Sequence, residues 1–429
     1  MAFLLVLPSV AALEIDESYL GSSPGRFNSV KICDLDNDGN KEIVLGNYEG
    51  YLNVIQWKGD EFRAVKHLGP FGERLWGVHV ADIDGDGQEE ILAGDGDGNL
   101  HVLNGSDFSV RFRMEGLVRD VHGIAVGDAD NDGEQEIVVG TGYKMDFPLS
   151  TVYVFSAETG ELESEFLPGN ASRMRGVAIA DIDGDAFNEV IFGTGISLGE
   201  TPGAGHLYVY QFDGSEYTQE WRSDDLNGDV VAVEIVDVDG DGNLEIVASN
   251  GYREGPGFLF IFRYLGKDLE GKDDYEKVWE SENIGPKPYG LDVADIDADG
   301  INEIVVGNML GYIWIFDGST REVEWKSPLL GSDILGIDLG DVDGDGQIEI
   351  VAAQGGYQGK SDFTSAYTAP HIYILDGSTH TIEVALGGRD YIGWTLQILI
   401  AVLIIVLLVG LNVYFGRKRN ASKKEKGPK

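Results

Sequence analysis

An acidic motif, D-x-D-x-D-G-x-x-E, occurs six times along this 429-residue chain, and a seventh, altered copy reads DIDGDAFNE. Successive copies start 46 to 58 residues apart. A unit that returns at a near-constant interval of this length is the signature of a repeat architecture, in which one supersecondary unit is stacked many times. The copies begin at Asp34, Asp82, Asp128, Asp181, Asp237, Asp295 and Asp341.

Four short runs accompany each acidic motif. An alternating run such as WGVHVA precedes it, a run such as EIVLGN follows, and then come runs such as YLNVIQW and REVEWKS. Period-two segments rich in β-branched and aromatic residues, bounded by Gly and Asp, predict strands. Seven four-stranded units predict an all-β fold, a seven-bladed β-propeller over residues 13–386. Either LEIDESYLG near the N-terminus or TIEVAL near residue 386 could supply the strand that closes the ring.

The acidic motif predicts calcium loops. Three Asp carboxylates at positions one, three and five and a Glu at position nine suit a hard cation with six to eight oxygen ligands. Position seven varies, and Phe or Ile there can offer only a backbone carbonyl. Magnesium is disfavoured because it resists so much dehydration. The predicted ligands are Asp34, Asp36, Asp38, Asn40, Glu42, Asp82, Asp84, Asp86, Gln88, Glu90, Asp128, Asp130, Asp132, Glu134, Glu136, Asp181, Asp183, Asp185, Phe187, Glu189, Asp237, Asp239, Asp241, Asn243, Glu245, Asp295, Asp297, Asp299, Ile301, Glu303, Asp341, Asp343, Asp345, Gln347 and Glu349.

Position six of the motif is Gly in six copies and Ala186 in the fourth. Gly is the usual residue where a backbone turn is left-handed, so we expect such a turn at this position. The fourth loop should therefore bind its ion more weakly or distort. Position two is apolar in every copy and is expected to be buried in the blade. The residue five positions before each motif is small, which is expected where seven inner strands crowd an axis.

The two ends of the chain predict export and a membrane anchor. Residues 1–12 resemble a signal peptide with a cleavage site near Ala12, although no Lys or Arg precedes the apolar stretch. Residues 394–415 are an uncharged apolar run long enough to span a bilayer as one helix. Residues 387–393 would be a juxtamembrane linker. Residues 416–429 are strongly basic, so this tail is predicted to be cytoplasmic and the propeller to lie outside the cell membrane.

Net charge and cysteine content narrow the function classes. The chain has 74 Asp+Glu against 31 Lys+Arg, a formal charge of −43, which disfavours a nucleic-acid partner because phosphate binding needs cations. The single cysteine, Cys33, excludes an intramolecular disulfide and is expected to be a small packed residue. The bound ions would then supply the cross-links within each blade.

With these motifs, the repeats resemble FG-GAP repeats, the calcium-loop blades of the integrin α-chain propeller and of related surface proteins. The resemblance covers nearly all of the predicted exported region. It implies that the cation loop joins the first and second strands of a blade on one face, and that ligands meet the other face. The chain departs from the family in lacking the literal GAP triplet and the GFFKR pattern of the integrin tail. Integrin-style heterodimers and signalling are therefore not implied.

Cationic and aromatic residues recur just before the first strand of several repeats, eight and six positions ahead of the motif. We expect these residues to form a binding rim at the mouth of the central channel. Structural pairing with neighbouring Asp residues is the competing interpretation, because charges beside opposite charges are usually just paired. The rim hypothesis names Arg26, Arg74, Trp76, Arg173, Arg175 and Tyr289.

Together these features predict a calcium-binding, single-pass cell-surface protein whose propeller binds an extracellular protein or glycan in adhesion or recognition. The seven His residues are scattered, and no H-E-x-x-H motif is present, so the chain is not expected to be an enzyme. Propellers also host polysaccharide lyases and quinone-dependent dehydrogenases, and IWIFDGSTREVEW is similar to a quinoprotein blade hairpin, so these remain alternatives. A structural envelope component is a third.

Overall fold

Twenty-eight β-strands make up the part of the chain that the computed structural model describes, which is residues 26–118, 120–142, 150–168, 173–195, 205–253, 255–355 and 372–386. The strands are β1 (Phe27–Cys33), β2 (Glu42–Asn47), β3 (Leu52–Trp57), β4 (Phe62–Leu68), β5 (Leu75–Ala81), β6 (Glu90–Asp95), β7 (Leu100–Asn104), β8 (Val110–Met114), β9 (Val121–Gly127), β10 (Glu136–Thr141), β11 (Val152–Ser156), β12 (Leu162–Phe166), β13 (Val177–Ala180), β14 (Glu189–Gly193), β15 (Leu207–Phe212), β16 (Tyr217–Arg222), β17 (Asp229–Val236), β18 (Glu245–Gly251), β19 (Gly257–Lys267), β20 (Asp273–Glu280), β21 (Gly290–Ala294), β22 (Glu303–Gly307), β23 (Ile313–Asp317), β24 (Val323–Lys326), β25 (Ile334–Gly340), β26 (Glu349–Gln354), β27 (Ile372–Asp376) and β28 (Ile382–Leu386).

Each group of four consecutive strands forms one antiparallel sheet, and there are seven such sheets. The prediction of a seven-bladed propeller with four strands per repeat is therefore confirmed. The last blade takes β28 as its fourth strand, paired with β27, so the TIEVAL segment forms this outer strand. The competing segment LEIDESYLG lies outside the described residues.

Burial follows the position of a strand within its blade. The second strand is covered on both faces, as in β2 and β6, where every residue is buried, whereas all residues of the fourth strand β4 except Phe62 are partly buried or exposed. The apolar side chains of neighbouring blades pack against each other. One such cluster joins Val30 and Ile55 of the first blade to Ile374 of the last.

The first strands pack side by side around the axis of the ring, and they require small residues to do so. A Cβ on Gly77 would lie 2.4 Å from the carbonyl oxygen of His122, and one on Gly176 would lie 2.5 Å from the amide nitrogen of Val233. Atoms essentially never approach so closely, so only Gly fits at these positions. The expectation of small residues five positions before each motif is confirmed at both.

Contacts between the first and the last blade close the ring. Nζ of Lys31 on β1 lies 2.6 Å from Oδ1 of Asp338 on β25, and the amide of Ile32 donates to Oδ2 of the same Asp at 2.6 Å. Residues on these two strands are about 300 positions apart in sequence. A half-buried ion pair with an added backbone hydrogen bond thus links the two ends of the repeat array.

The predicted terminal segments, residues 1–12, 387–393, 394–415 and 416–429, lie outside the described residues. Among the residues that are described, we find no helix with the length and apolar character needed to cross a membrane.

Candidate metal loops and central cavity

The seven acidic motifs form the connections between the first and second strands of each blade. Their backbone turns twice through the left-handed region. At position six the φ angle is 86° to 94° in the six Gly residues and 74° in Ala186, as the sequence predicted. Position four is also left-handed, with φ between 54° and 79°, which the sequence analysis missed. The residues there are Asn37, Gly85, Asn131, Gly184, Gly240, Ala298 and Gly344.

Two Asp side chains of each loop hold this backbone in place. Oδ2 of the Asp at position one accepts the amide of position six in all seven loops, at 2.8 to 3.1 Å. Oδ1 of the Asp at position five accepts the amide of position seven in all seven, at 2.8 to 2.9 Å. Ala186 makes the same bond as the glycines, so the fourth loop keeps the common backbone.

The Glu at position nine is the buried member of each set, at most 4% exposed in all seven loops. Its Oε2 accepts the amide of position two at 2.7 to 3.2 Å in every loop. Position two is itself a buried apolar residue, from Leu35 in the first loop to Val342 in the seventh, as expected. The Glu therefore fastens the loop to the blade with one oxygen and leaves Oε1 for another partner.

Burial and crowding of these carboxylates make their ionised forms unfavourable when no cation is bound. Burial, followed by repulsion from nearby Asp side chains, raises the pKa of Glu42 and Glu303 to about 7 and that of Glu136, Glu189 and Glu349 to about 8. Such shifts mean that the ionised form lacks compensation. A bound cation would supply it.

The donor sets fit a metal ion. Carboxylate oxygens of Asp34, Asp36 and Glu42 lie within 4.8 Å of one another, and equivalent clusters occur in other loops. Oδ1 of Asp128 is buried and accepts no hydrogen bond. Buried polar atoms are nearly always satisfied, so a carboxylate oxygen without a hydrogen-bond partner inside an acidic cluster is a suitable ligand for a cation.

Two of the loops receive a cation from the protein itself. In the fifth, Nη2 of Arg263 lies 2.7 Å from Oδ2 of Asp239 and 2.8 Å from Oε1 of Glu245. In the second, Nη1 of Arg111 lies 2.6 Å from Oδ2 of Asp84. Within the described part of the chain, no Lys or Arg forms a salt bridge with the acids of the other five loops. The seven sites are thus not equivalent.

Arg111 lies on the fourth strand of its blade, β8, whereas Arg263 lies on the third strand of its blade, at the residue paired with the ninth-position Glu. The residue at this third-strand position differs from blade to blade. In the fourth loop it is Gln211, whose Nε2 donates to Oε1 of Glu189 at 2.7 Å. Sequence analysis missed this position because insertions vary its distance from the Glu. In blade order the residues are Gln56, Asn104, Ser156, Gln211, Arg263, Asp317 and Asp376.

The opposite ends of the first strands surround a central cavity of about 1030 Å³. The first strands run from the cavity toward the acidic loops. Strand β1, for example, begins after Arg26 at the cavity and ends at Cys33, just before the first acidic loop. Cys33 is buried, as expected. All six residues of the rim hypothesis line this cavity, namely Arg26, Arg74, Trp76, Arg173, Arg175 and Tyr289.

Cations and aromatic rings alternate around the mouth of the cavity in what we call the mouth row. Each cationic group lies 4.5 to 5.9 Å from the centroid of the neighbouring ring or rings, within the range of cation–π attraction. Tyr48 and Lys287 were absent from the rim hypothesis. In order, the row consists of Arg26, Tyr48, Arg74, Trp76, Arg175, Tyr289 and Lys287.

Pairing with Asp, the competing interpretation, holds for some of these cations. Asp229 accepts from Nη1 of Arg173 at 2.9 Å and from Nζ of Lys287 at 2.7 Å. By contrast, Arg26, Arg74 and Arg175 form no salt bridge within the described residues. The mouth therefore contains both paired cations and cations held mainly by aromatic rings.

The cations of the mouth act on two titratable side chains beside them. The pKa of His122 is lowered well below its usual value by burial and by the charges of Arg175, Arg173 and Lys287. Burial favours the neutral form of Tyr289, yet its pKa is lowered because Arg175 and Lys287 stabilise the phenolate. An anion placed here would be attracted by the same charges.

A second ring lies deeper in the channel, three positions before the acidic motifs, and three of its seven members are acidic. Lys31, which pairs with Asp338, lies in this ring with His79, Glu234 and Asp292. Burial raises the pKa of Glu234 to about 8 and lowers that of His79 to about 3. The sequence analysis did not single out this ring. The two-residue alternation of a strand could have revealed it. The residues five and three positions before the motif face the same side of the strand, so both should face the axis.

Comparison with known proteins agrees with the fold. The family model described as FG-GAP-like repeat matches residues 34–93 and 295–352. The comparison with curated proteins gave no match. Among solved structures, BBS1N in complex with ARL6DN, soaked with lead, has a TM-score of 0.53 at 10% identity and covers 80% of this chain and 93% of its own. The mercury-soaked crystal has a TM-score of 0.52 at 9% identity, covering 77% and 90%. At this identity the likeness concerns the fold alone.

Proposed function

We propose that this chain, in which FG-GAP-like repeats form a seven-bladed β-propeller, is a calcium-binding recognition protein of the cell surface. The observation that carries the proposal is the separation of two features along the first strands. Acidic loops occupy one end of these strands, and a cavity lined by cations and aromatic residues occupies the other. The first feature suits a structural ion, and the second suits a ligand.

Calcium is the ion that the loops favour. The ligands are carboxylate oxygens from positions one, three, five and nine and a carbonyl from position seven, a set of hard donors on a flexible turn. When bound, calcium would neutralise the clustered carboxylates and cross-link each loop to its blade. The chain's own contribution is the fixed network of Asp and Glu hydrogen bonds, which pre-forms the loop around the cation.

Ligand recognition is assigned to the cavity because it is large and unusually cationic for a chain with a charge of −43. A rigid scaffold that carries convergent polar groups around a concave site is the usual form of a binding site. We propose binding rather than catalysis, in adhesion or recognition of an extracellular partner. Export through residues 1–12 and anchoring through residues 394–415 would present the cavity outside the cell.

Two measurements on the purified full-length chain in detergent test this function. The melting temperature should rise by several degrees in millimolar calcium over chelator, and much less in magnesium, since a ligand that binds only the native state stabilises it. The calcium-loaded protein should also capture a partner from an array of extracellular proteins and glycans. A melting temperature indifferent to chelator would contradict the calcium proposal, and an array without any captured partner would contradict recognition.

The orientation in the membrane is tested separately. Protease added to intact cells that express a C-terminally tagged chain should remove the propeller and leave the tag protected. A protected propeller, or a digested tag, would contradict the proposed surface location.

A further inference from the structure

The cavity mouth contains buried nitrogen atoms that lack a hydrogen-bond partner. They are Nε1 of Trp76, Nε2 of His122 and Nε of Arg175. The rings of Trp76 and His122 are only 4.9 Å apart, and the guanidinium carbon of Arg175 lies 5.9 Å from the Trp76 ring, so the three form one group. Leaving a buried polar group unsatisfied costs about 1 to 3 kcal/mol. Nε1 of Trp76 and Nε of Arg175 can only donate, so an acceptor supplied by a ligand is their natural complement.

The cations beside these nitrogens are available to such an acceptor. Arg26, Arg74 and Arg175 form no salt bridge in the part of the chain that the structure describes, although acidic residues greatly outnumber basic ones. A guanidinium held over an aromatic ring still offers a fork of N–H groups to a carboxylate. The mouth row therefore presents charged donors that the protein's own acids do not use.

Backbone strain at the mouth supports a functional role. Arg74, Arg173 and Lys287 have φ angles of 54°, 56° and 37°, in the left-handed region that non-glycine residues rarely adopt. Such conformations cost of order 1 to 3 kcal/mol and cluster at ligand sites, where the strain places a side chain. Three cations of one mouth thus share an unfavourable backbone conformation.

The surroundings limit the anion to a single charged group. Asp292 of the deeper ring would repel an anion that entered further, and the net charge of −43 would repel a long polyanion. A sugar ring would need an open aromatic face for stacking, but cations lie over the rings of Tyr48, Trp76 and Tyr289. A carboxylate side chain carried by a polypeptide meets neither obstacle.

We infer that the mouth of the central cavity binds an acidic side chain, Asp or Glu, of a protein partner, with Arg74, Arg175 and Trp76 as the groups that contact its carboxylate. This rests on the proposed role of the propeller in recognition and specifies the chemistry of its ligand. The cavity, at about 1030 Å³, is at the upper end of the range for ligand sites, so it can admit a loop or a chain end of several residues.

Fluorescent oligopeptides provide the probe. An acetylated, amidated hexapeptide with a single Glu among Ser residues (the glutamate peptide), the same hexapeptide with Gln in place of Glu, and a labelled galacturonate are titrated against the full-length protein in saturating calcium, and binding is followed by anisotropy. We expect the glutamate peptide to bind at least tenfold more tightly than the other two and to weaken as salt rises, because charge attraction is screened. Equal binding of the two peptides would overturn the inference, and preference for the galacturonate would replace the polypeptide with a glycan.

Variants locate the site. Arg74→Gln combined with Arg175→Gln should weaken glutamate-peptide binding at least tenfold, whereas Arg63→Gln, which removes one such charge on outer strand β4, should not alter it. Arg175→Lys keeps the charge but loses the planar fork, so it should give an intermediate loss. The melting temperature of each variant in calcium shows whether it is folded.

The proposed site would be wrong if Arg63→Gln weakened glutamate-peptide binding as much as the double variant does. It would also be wrong if the folded double variant lost no affinity for the peptide. If the array partner binds the double variant as it binds the original protein, recognition stands and the acidic-side-chain inference fails. If neither the peptides nor the array give binding while calcium still raises the melting temperature, the recognition proposal fails and the calcium proposal stands.

Discussion

The guanidinium of Arg263 lies 2.7 Å from the carboxylate of Asp239, inside the fifth acidic loop. It also reaches Glu245, and a second guanidinium, that of Arg321, lies 3.3 Å from the same oxygen of Asp239. An arginine in this position supplies positive charge where a metal ion would otherwise do so. The fifth blade therefore differs from blades such as the third, where an orphaned oxygen of Asp128 faces no cation among the described residues.

Removing the internal cation should make the fifth loop more dependent on calcium. In Arg263→Gln, the carboxylates of Asp241 and Glu245 lose their cationic partner and Asp239 keeps only Arg321, so we expect the gap between the melting temperatures in calcium and in chelator to widen. Equilibrium dialysis should show calcium binding that is tighter, or one more ion per chain. Arg63→Gln, on an outer strand, is the control, and an unchanged gap in Arg263→Gln would contradict the role of the internal cation.

Replacing a ninth-position Glu by Gln should change the melting temperature differently with and without calcium. Glu136→Gln keeps an oxygen that can accept the amide of Ala129 but removes one of the crowded charges, whose burial raises the pKa of Glu136 to about 8. We expect the variant to melt lower than the original protein in calcium and equally or higher in chelator. The exposed Glu161→Gln should change neither value. A lower melting temperature for Glu136→Gln in both conditions would mean that the Glu acts only as a structural support.

Relieving the strained turn of the fourth loop should stabilise the protein. Ala186 has a φ angle of 74°, which costs an L-residue roughly 1 to 2 kcal/mol, whereas Gly carries an entropy cost of about 0.5 to 1 kcal/mol. Ala186→Gly should therefore stabilise the protein by up to about 1 kcal/mol in denaturant unfolding and tighten calcium binding at this loop. Ala64→Gly, within strand β4, should destabilise it instead. A loss of stability in Ala186→Gly would show that the turn is not strained.

Stability should fall with rising pH through Glu234 in the deeper ring of the channel. Burial raises its pKa to about 8. Between the ordinary pKa of Glu, about 4.3, and this raised value, the folded state holds a proton that the unfolded chain has released, so stability declines as pH increases. Glu234→Gln should remove this decline. The difference in melting temperature between variant and original, measured in saturating calcium, should grow from pH 5 to pH 9, while exposed Glu276→Gln should show no trend.

Much of the fold was readable from the repeat because the interactions that define it are local. The left-handed turn at position six, the burial of position two and the small residues beside the axis recur at fixed distances within each repeat. The ninth-position Glu was also readable, but its bond to the amide of position two was not. Nothing in the spacing distinguishes a ligand oxygen from one that accepts a backbone hydrogen bond.

The pairing of the charged groups could not be predicted from the repeat. The rim hypothesis found Arg173 and Arg175, two residues apart, but could not tell that one pairs with Asp229 and the other lies between Trp76 and Tyr289. Those contacts join residues from different blades. A repeat pattern identifies equivalent positions in the seven blades. It does not show which side chains at those positions contact one another across blades.

By itself, the sequence determined the number of blades, the four strands of each, the acidic loops and the end of the strands at which they lie. All of these depend on hydrogen bonds and side-chain alternation within about fifty residues of chain. Only the tertiary structure decided that Arg263 neutralises one loop, that Lys31 and Asp338 join the ends of the ring, and that the mouth row alternates cations with rings. These contacts form between strands and blades, where register and ring closure, rather than spacing along the chain, set which charges come together.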